Sequence, residues 1–360
     1  MHTDDAPLPD RPQIDARSSK SGSKRNLLIW VHGMTFLLGL TLLAVVIYRI
    51  GYESVLESVS RVGWGFVVII ALNLSRHLLR AASMYLAVPA EHRTFKYRSA
   101  AAARFGGEAV TFFTFTGPFL GDATKAVLLR RNLPLTHGAS AVIIDNILYY
   151  VSVILVVLAG VAILLLNYGS SGSTMSRVLL AIVIVAVLVF SGIIMAILYQ
   201  VKPLSHTIEL FSRRNVAPRF ILRKQKDILE VENNVFRFYH ARRRDFFALF
   251  AISLSVHAIS VTEVFVALWF LGYQATVSTA FIIESLTKVI NATFSFIPGT
   301  IGVYEGGNGL ILRTLGYTTA VGVALALVRR GAILFSTAIG MVILVWRTAG
   351  RGARHLSQRR

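Results

Sequence analysis

Runs of about 20 apolar residues recur along this chain, at 27–50, 177–201 and 317–346 among others, and each can cross a hydrocarbon core of about 30 Å. A bilayer offers no water to a bare backbone, so a chain with several such runs is expected to cross it as helices. Only 15% of the residues are charged and 54% are hydrophobic, a balance that excludes disorder and an ordinary soluble domain. The fold class read from this is all-α: a polytopic integral membrane protein.

The chain has no cysteine, which removes disulfides, thiolate nucleophiles and Cys-ligated metal centres, and no cofactor or metal is expected. The formal charge of +19 lies between the apolar runs, where it orients the chain and meets anionic headgroups. The partner it implies is the membrane, with no nucleic acid.

Basic residues concentrate at 93–98, 125–131, 202–244 and 347–360. Between 202 and 244, eleven bases face Glu209, Asp227, Glu230 and Glu232. If basic segments stay inside, both termini lie in the cytoplasm, the chain sits in the cytoplasmic membrane, and the number of crossings is even. Six full transmembrane helices satisfy this, at about 27–50, 62–88, 138–166, 177–201, 245–271 and 318–346. The organisation expected is a polar tail over 1–26, disordered and cytoplasmic, and a membrane domain over 27–346. The domain divides into halves at 27–201 and 245–346 about the basic segment 202–244, with a basic tail over 347–360. Within 202–244, the basic and partly apolar stretch 220–239 reads as a helix lying on the membrane surface.

Two interrupted apolar stretches remain, 98–131 and 277–316, and each must begin and end on one side. They are read as re-entrant broken-helix hairpins, the first entering from inside and the second from outside. Each carries helix-breaking Pro and Gly midway, TGPFLGD at 116–122 and IPGTIGVYEGG at 297–307. A shift of 183 residues places Asp122 on Glu305, Leu128-Leu129-Arg130 on Ile311-Leu312-Arg313, and Asn146 on Arg329. With opposite entry sides this describes an inverted repeat, an architecture whose broken helices meet near the midplane and which moves solutes across membranes.

Ionisable residues inside apolar spans are the strongest functional signal, because each costs a few kcal/mol unless it pairs or faces a polar interior. The acids are Glu108, Asp122, Asp145, Glu263, Glu284 and Glu305; the bases are Arg76, Arg80, Arg104, Lys125, Lys288, Arg313, Arg329 and Arg330. Arg104 with Glu108 and Glu284 with Lys288 are spaced to pair on one helix face. Asn73, Arg76, His77 and Arg80 share a face, and Glu263 with His257 and Ser260 is read as an internal hydrogen-bonding cluster, with a proton relay as the alternative. The excess of bases suits an anionic head such as a phosphate, and helix starts after the breaks would offer amides to it. No HExxH, GxSxG, GxxxxGK[ST] or CxxC occurs, so no enzymatic constellation is expected.

The segments PFLGDATKAVLLRRNLPLTHGASAVIIDN at 118–146 and FIPGTIGVYEGGNGLILRTLGY at 296–317, followed by ALALVRR at 324–330, resemble the two signature regions of the lysylphosphatidylglycerol synthase transmembrane region family. The resemblance implies a flippase-like membrane domain, which in larger enzymes moves aminoacylated phosphatidylglycerol and in stand-alone members is associated with lipid, lipid-linked saccharide and hopanoid pathways. It carries over Pro298, Gly299, Gly302 and Glu305, Arg329 downstream, and Gly121 with Asp122 from the first region. Where the family commonly has Gly-Glu-x-x-Arg and Glu-Arg, this chain has Gly121-Asp122-Ala-Thr-Lys125 and Asp145-Asn146. No soluble aminoacyl-transferase domain follows, so aminoacyl-lipid synthesis is not implied.

The leading reading is a flippase or transporter for an anionic lipid or lipid-linked headgroup. Its substrate site is drawn from Arg104, Glu108, Gly121, Asp122, Lys125, Asp145, Glu284, Lys288, Pro298, Gly299, Gly302, Glu305, Arg329 and Arg330. Two alternatives stand beside it: an intramembrane enzyme using Glu305 or Asp145 as acid or base, and a non-catalytic partner of a lipid or glycan biosynthesis enzyme docked through 202–244.

Overall fold

The computed structural model describes residues 53, 57, 60–114, 118–130, 133–168, 173–199, 202–213 and 224–357. Every regular element among them is helical. The α-helices are α1 (Gly65–Ala87), α2 (Tyr97–Phe113), α3 (Pro118–Leu129), α4 (Leu135–Tyr168), α5 (Ser173–Leu198), α6 (Pro203–Arg213), α7 (Gln225–Ala241), α8 (Arg243–Phe270), α9 (Val277–Thr293), α10 (Val303–Thr314) and α11 (Thr319–Ser357). Four of them, α1, α4, α8 and α11, are long and apolar enough to cross a membrane, and α5 holds a shorter apolar core over Leu180–Ala196. The expected crossing at 27–50 lies outside the described residues.

Both interrupted stretches fold as short helix pairs of the same size. α2 and α9 have 17 residues each, and α3 and α10 have 12. At 1.5 Å per residue, 17 residues reach about 25 Å, short of a full crossing. Each pair folds back on itself. In the first, a Cβ at Gly107 would meet Lys125 while one at Gly121 would meet Thr111, so contacts run up α2 as they run down α3. In the second, Thr287 of α9 bonds Asn308 of α10 at 3.0 Å, and Gly307 packs against Ile290.

Each half therefore contains, in order, a long helix, a 17-residue helix, a 12-residue helix and a long helix, and the first half adds α5 after them. The leading helices of the halves, α1 and α8, lie against each other and run in opposite directions. Gly65 meets Phe270 at one end, Arg76 pairs with Glu263 in the middle, and Ala87 accepts from Arg242 at the other. The halves are thus inverted with respect to one another, as the shifted sequence match suggested. They also interlock. Ser285 of α9 donates to the Val156 carbonyl of α4 at 3.1 Å, and Gly340 of α11 packs on the Phe105 backbone of α2.

Two apolar clusters lie at opposite ends of the bundle. One joins Ile69 of α1 with Leu268 of α8, Ile283 of α9, Leu312 of α10 and Leu325 of α11. The other joins Met84 of α1 with Ala103 of α2, Leu129 of α3, Leu148 of α4 and Leu249 of α8. Along α1 the stretch between them holds Asn73, Arg76, His77 and Arg80. The ionisable residues thus form a layer between two apolar caps, where paired ions are shielded from lipid.

The basic segment is more structured than a surface-bound helix. α7 buries Val235 and Phe238 in the second apolar cluster, and Thr136 of α4 donates to Glu230 at 2.9 Å. The apolar face expected to meet lipid is spent on protein. Beside it, Arg242 donates to the carbonyls of Ala87 and Leu86 at 2.8 and 2.9 Å, and Arg93 donates to Leu86 and Val88 at 3.1 and 2.9 Å. These two guanidinium groups hold the open carbonyls at the end of α1, where the helix dipole favours a cation.

Candidate functional site

In the first half the charges close into a ring. Arg80 reaches Asp145 at 2.5 Å and Asn146 at 3.0 Å, and Asn146 donates to Asp122 at 2.6 Å. Lys125 pairs with Asp122 at 2.9 Å and with Glu108 at 3.0 Å. Glu108 also pairs with Arg104 at 2.9 Å, and Arg104 lies 3.8 Å from Asp145, which completes the circuit. Asn146, standing where the family commonly has Arg, bridges Asp122 and Arg80 as a neutral amide that both donates and accepts.

The second half carries a cluster in which the base stands on the last long helix and the acids on the preceding ones, the reverse of Asp145 with Arg80 and Arg104. Arg329 of α11 bonds Glu263 of α8 at 2.9 Å and Glu284 of α9 at 2.8 Å, and Lys288 pairs with Glu284 at 2.8 Å. Where Arg80, Arg104 and Glu108 surround Asp145, Glu263, Glu284 and Lys288 surround Arg329. Asp122 with Asn146 corresponds to Glu305 with Arg330. Arg76 ties the halves together through Glu263 at 2.7 Å.

Arg330 does a second job. It donates to the carbonyls of Gly299 and Thr300, at 2.7 and 3.4 Å, in the unwound turn between α9 and α10. That turn has positive φ at Gly299 (60°) and Thr300 (51°), a region open to glycine and costly for threonine. Unwound backbone inside a membrane survives only with such partners. Glu305, fully buried, accepts from the Gly302 amide at 2.8 Å and from Arg330, so it caps α10 and fixes the guanidinium.

A cavity of about 300 Å³ lies where the two hairpin tips meet. α1 contributes His77; α2 contributes Glu108, Thr111 and Phe112; Pro118 opens α3. Asn291 comes from the end of α9, and Ser295, Ile297, Gly299, Thr300 and Tyr304 from the turn and α10. Arg330, Ile333, Ser336 and Thr337 of α11 close the wall. Of the fourteen residues expected at the site, Glu108, Gly299 and Arg330 line this cavity. Arg104, Asp122, Lys125 and Asp145 stand behind Glu108 in its ring. Glu284, Lys288 and Arg329 form the mirrored cluster, Glu305 stands behind Arg330, and Pro298 and Gly302 shape the turn. Gly121 serves close packing: a Cβ there would lie 1.8 Å from the Thr111 hydroxyl. Arg313, counted with the interior bases, is exposed.

The neutral lining was not legible from the sequence, because serine and threonine on an apolar helix ordinarily bond their own backbone and carry no signature. The cluster expected at Glu263, His257 and Ser260 also divides. Glu263 serves the arginines, Ser260 bonds the Val256 carbonyl, and His257 bonds Ser152 of α4 at 2.8 Å. The Ser152 hydroxyl also lies 2.7 Å from the Tyr149 carbonyl of its own helix.

With Arg313 outside, the interior holds seven bases (Arg76, Arg80, Arg104, Lys125, Lys288, Arg329, Arg330) against six acids (Glu108, Asp122, Asp145, Glu263, Glu284, Glu305). Each base is paired, some sharing an acid, and the formal sum of this set is +1.

Residues 34–340 match the family described as Lysylphosphatidylglycerol synthase TM region. No curated protein and no solved structure matches the chain.

Proposed function

The chain belongs to the lysylphosphatidylglycerol synthase TM region family, which ties it to membrane lipids, and from that premise we propose that it moves an anionic lipid or lipid-linked headgroup across the cytoplasmic membrane. The observation that carries this reading is the cavity between the hairpin tips, walled by Glu108 from one half and Arg330 from the other. Broken helices from inverted halves meeting at a cavity that carries charged side chains are how membrane transporters build a midplane site. The surplus positive charge of the interior favours a ligand that brings one negative charge, and a phosphodiester does so.

The proposal assigns no catalytic residue. Its partners are the membrane and the lipid it moves. The test is reconstitution of the purified chain into liposomes with fluorescent lipids of different headgroups, followed by a reagent that reaches only the outer leaflet. Faster exchange of an anionic lipid than in protein-free liposomes is expected. No acceleration for any lipid in the panel would overturn the reading.

A further inference from the structure

The charge that touches a headgroup must come from the cavity wall, and the wall has little to give. The surplus of the interior lies among Arg76, Lys288 and Arg329 around Glu263 and Glu284, none of which lines the cavity. It draws an anion from a distance. On the wall, Glu108 belongs to a ring whose bases (Arg80, Arg104, Lys125) and acids (Glu108, Asp122, Asp145) cancel. Arg330 gives its charge to Glu305 and donates to the turn carbonyls.

One wall group remains that can become positive. His77 of α1 lines the cavity with its ring against Phe105, centroids 5.4 Å apart, and neither ring nitrogen bonds another of the described residues. Arg104 and Glu108 of α2, Lys125 of α3 and the adjacent Arg76 act on it electrostatically, and Tyr304 of α10 and Arg330 of α11 share the wall with it. Helices α4 and α8 also pack on α1, but they commit Asp145 to Arg80 and Glu263 to Arg76. The one acid facing His77, Glu108, is already shared by two cations. An imidazolium in a low-dielectric layer needs a negative charge beside it, and an arriving phosphate brings one.

We propose that His77 takes up a proton when an anionic headgroup enters, so that the cavity binds a phosphodiester and H⁺ together. This rests on the transport reading and adds a second substrate to it. The proton comes from water on the side to which the cavity is open and stays on a ring nitrogen while the phosphate is bound. It returns to water on the other side when the phosphate leaves. A phosphodiester with its proton carries no net charge, so the pair crosses the layer without the cost of moving a bare ion. A pH gradient then drives the lipid, and a membrane potential does not.

Dihexanoyl phosphatidylglycerol is titrated calorimetrically into the purified full chain in detergent, at one pH in two buffers of different ionisation enthalpy. Uptake of about one proton per lipid bound is expected. Because the bound state holds the extra proton, affinity rises as pH falls from about 8 to about 5, by up to about tenfold per unit. His77→Gln binds more weakly, takes up no proton and has a flat profile, whereas Glu108→Gln keeps the slope. A slope that survives in His77→Gln and disappears in Glu108→Gln puts the proton on the carboxylate and overturns the assignment. Should His77→Gln melt too low to use, Glu108→Gln decides in its place, loss of slope there overturning His77. Binding to the unaltered chain without proton uptake overturns the proposal and leaves the transport reading. No binding of this probe overturns the proposal as well, and lipid exchange in liposomes, measured in parallel, then decides whether the transport reading falls with it.

Discussion

Arg329 donates to Glu263 at 2.9 Å in the place where Asp145, one residue from its partner under the 183-residue shift, accepts from Arg80. The helix that supplies the base in one half supplies the acid in the other. A pairing of α4 with α8 through these positions would set Asp145 against Glu263, and one of α11 with α1 would set Arg329 against Arg80. The exchanged signs therefore fix which charged side chains meet where these long helices pack together.

Breaking one member of such a pair leaves its mate charged and alone. Asp145→Asn and Glu263→Gln are each expected to cost about 3–5 kcal/mol and to reduce folded protein, measured by thermal melting in detergent. The double exchange Arg80→Asp with Asp145→Arg should recover part of the loss. Single variants that melt like the parent would show that the layer does not hold the bundle.

Glu108 differs from the other acids of the layer because it faces the cavity and shares its charge partners. If Glu108 is neutralised, Lys125 keeps Asp122 at 2.9 Å and Arg104 keeps Asp145 at 3.8 Å. Glu108→Gln should hold its melting temperature while lipid exchange in liposomes falls about tenfold or more, the effect of losing about 1.4 kcal/mol or more at the limiting step. Parent-like exchange by a well-folded variant would remove Glu108 from the site.

Glu305 should behave in the opposite way. It is fully buried, caps α10 and steadies Arg330 over the unwound turn. Glu305→Gln is expected to lower melting by a margin comparable with Asp145→Asn, and any loss of exchange should follow the loss of folded protein. Full stability with abolished exchange would return Glu305 to a direct role.

Gly121 is a steric prediction. A methyl group there would lie 1.8 Å from Thr111 Oγ1 and 2.8 Å from the Gly107 carbonyl, so α2 and α3 must separate. Gly121→Ala should destabilise by about 1–3 kcal/mol. Adding Thr111→Ser leaves the hydroxyl in place and should rescue little, whereas Thr111→Gly should rescue more; melting curves of the three variants decide it.

Orientation is tested by single cysteines at two exposed positions, Arg213 in α6 and Gln274 between α8 and α9. In intact cells an impermeant maleimide should label Gln274→Cys and spare Arg213→Cys. The reverse pattern would invert the assignment drawn from the basic segments.

The long helices, the two hairpins and the repeat were legible because each rests on a coarse signal: apolar length, a Pro and Gly cluster, an acid at a fixed shift. The interior charges were legible as a set, since hydrocarbon makes every ion conspicuous. Their partners were not. Glu305 and Arg330 lie on different helices, and nothing in one dimension says that Arg330 reaches the carbonyls of residues 299 and 300. Nor does α7 announce its partner. An amphipathic basic helix suits a lipid surface and a protein groove equally well, and only the packing of Val235 and Phe238 separates them.

Arg242 stands 155 residues beyond the Ala87 carbonyl that it holds. At a synthesis rate of about 5–20 residues per second, that carbonyl waits about 8 to 30 s for its donor after leaving the ribosome. During that interval Arg93, only a few residues away, is already present for Leu86 and Val88, and Ala87 must rely on water. The end of α1 is therefore obliged to stay at the aqueous boundary until the second half begins to arrive. Insertion of the first half and recruitment of the second are thus coupled in time by a single guanidinium.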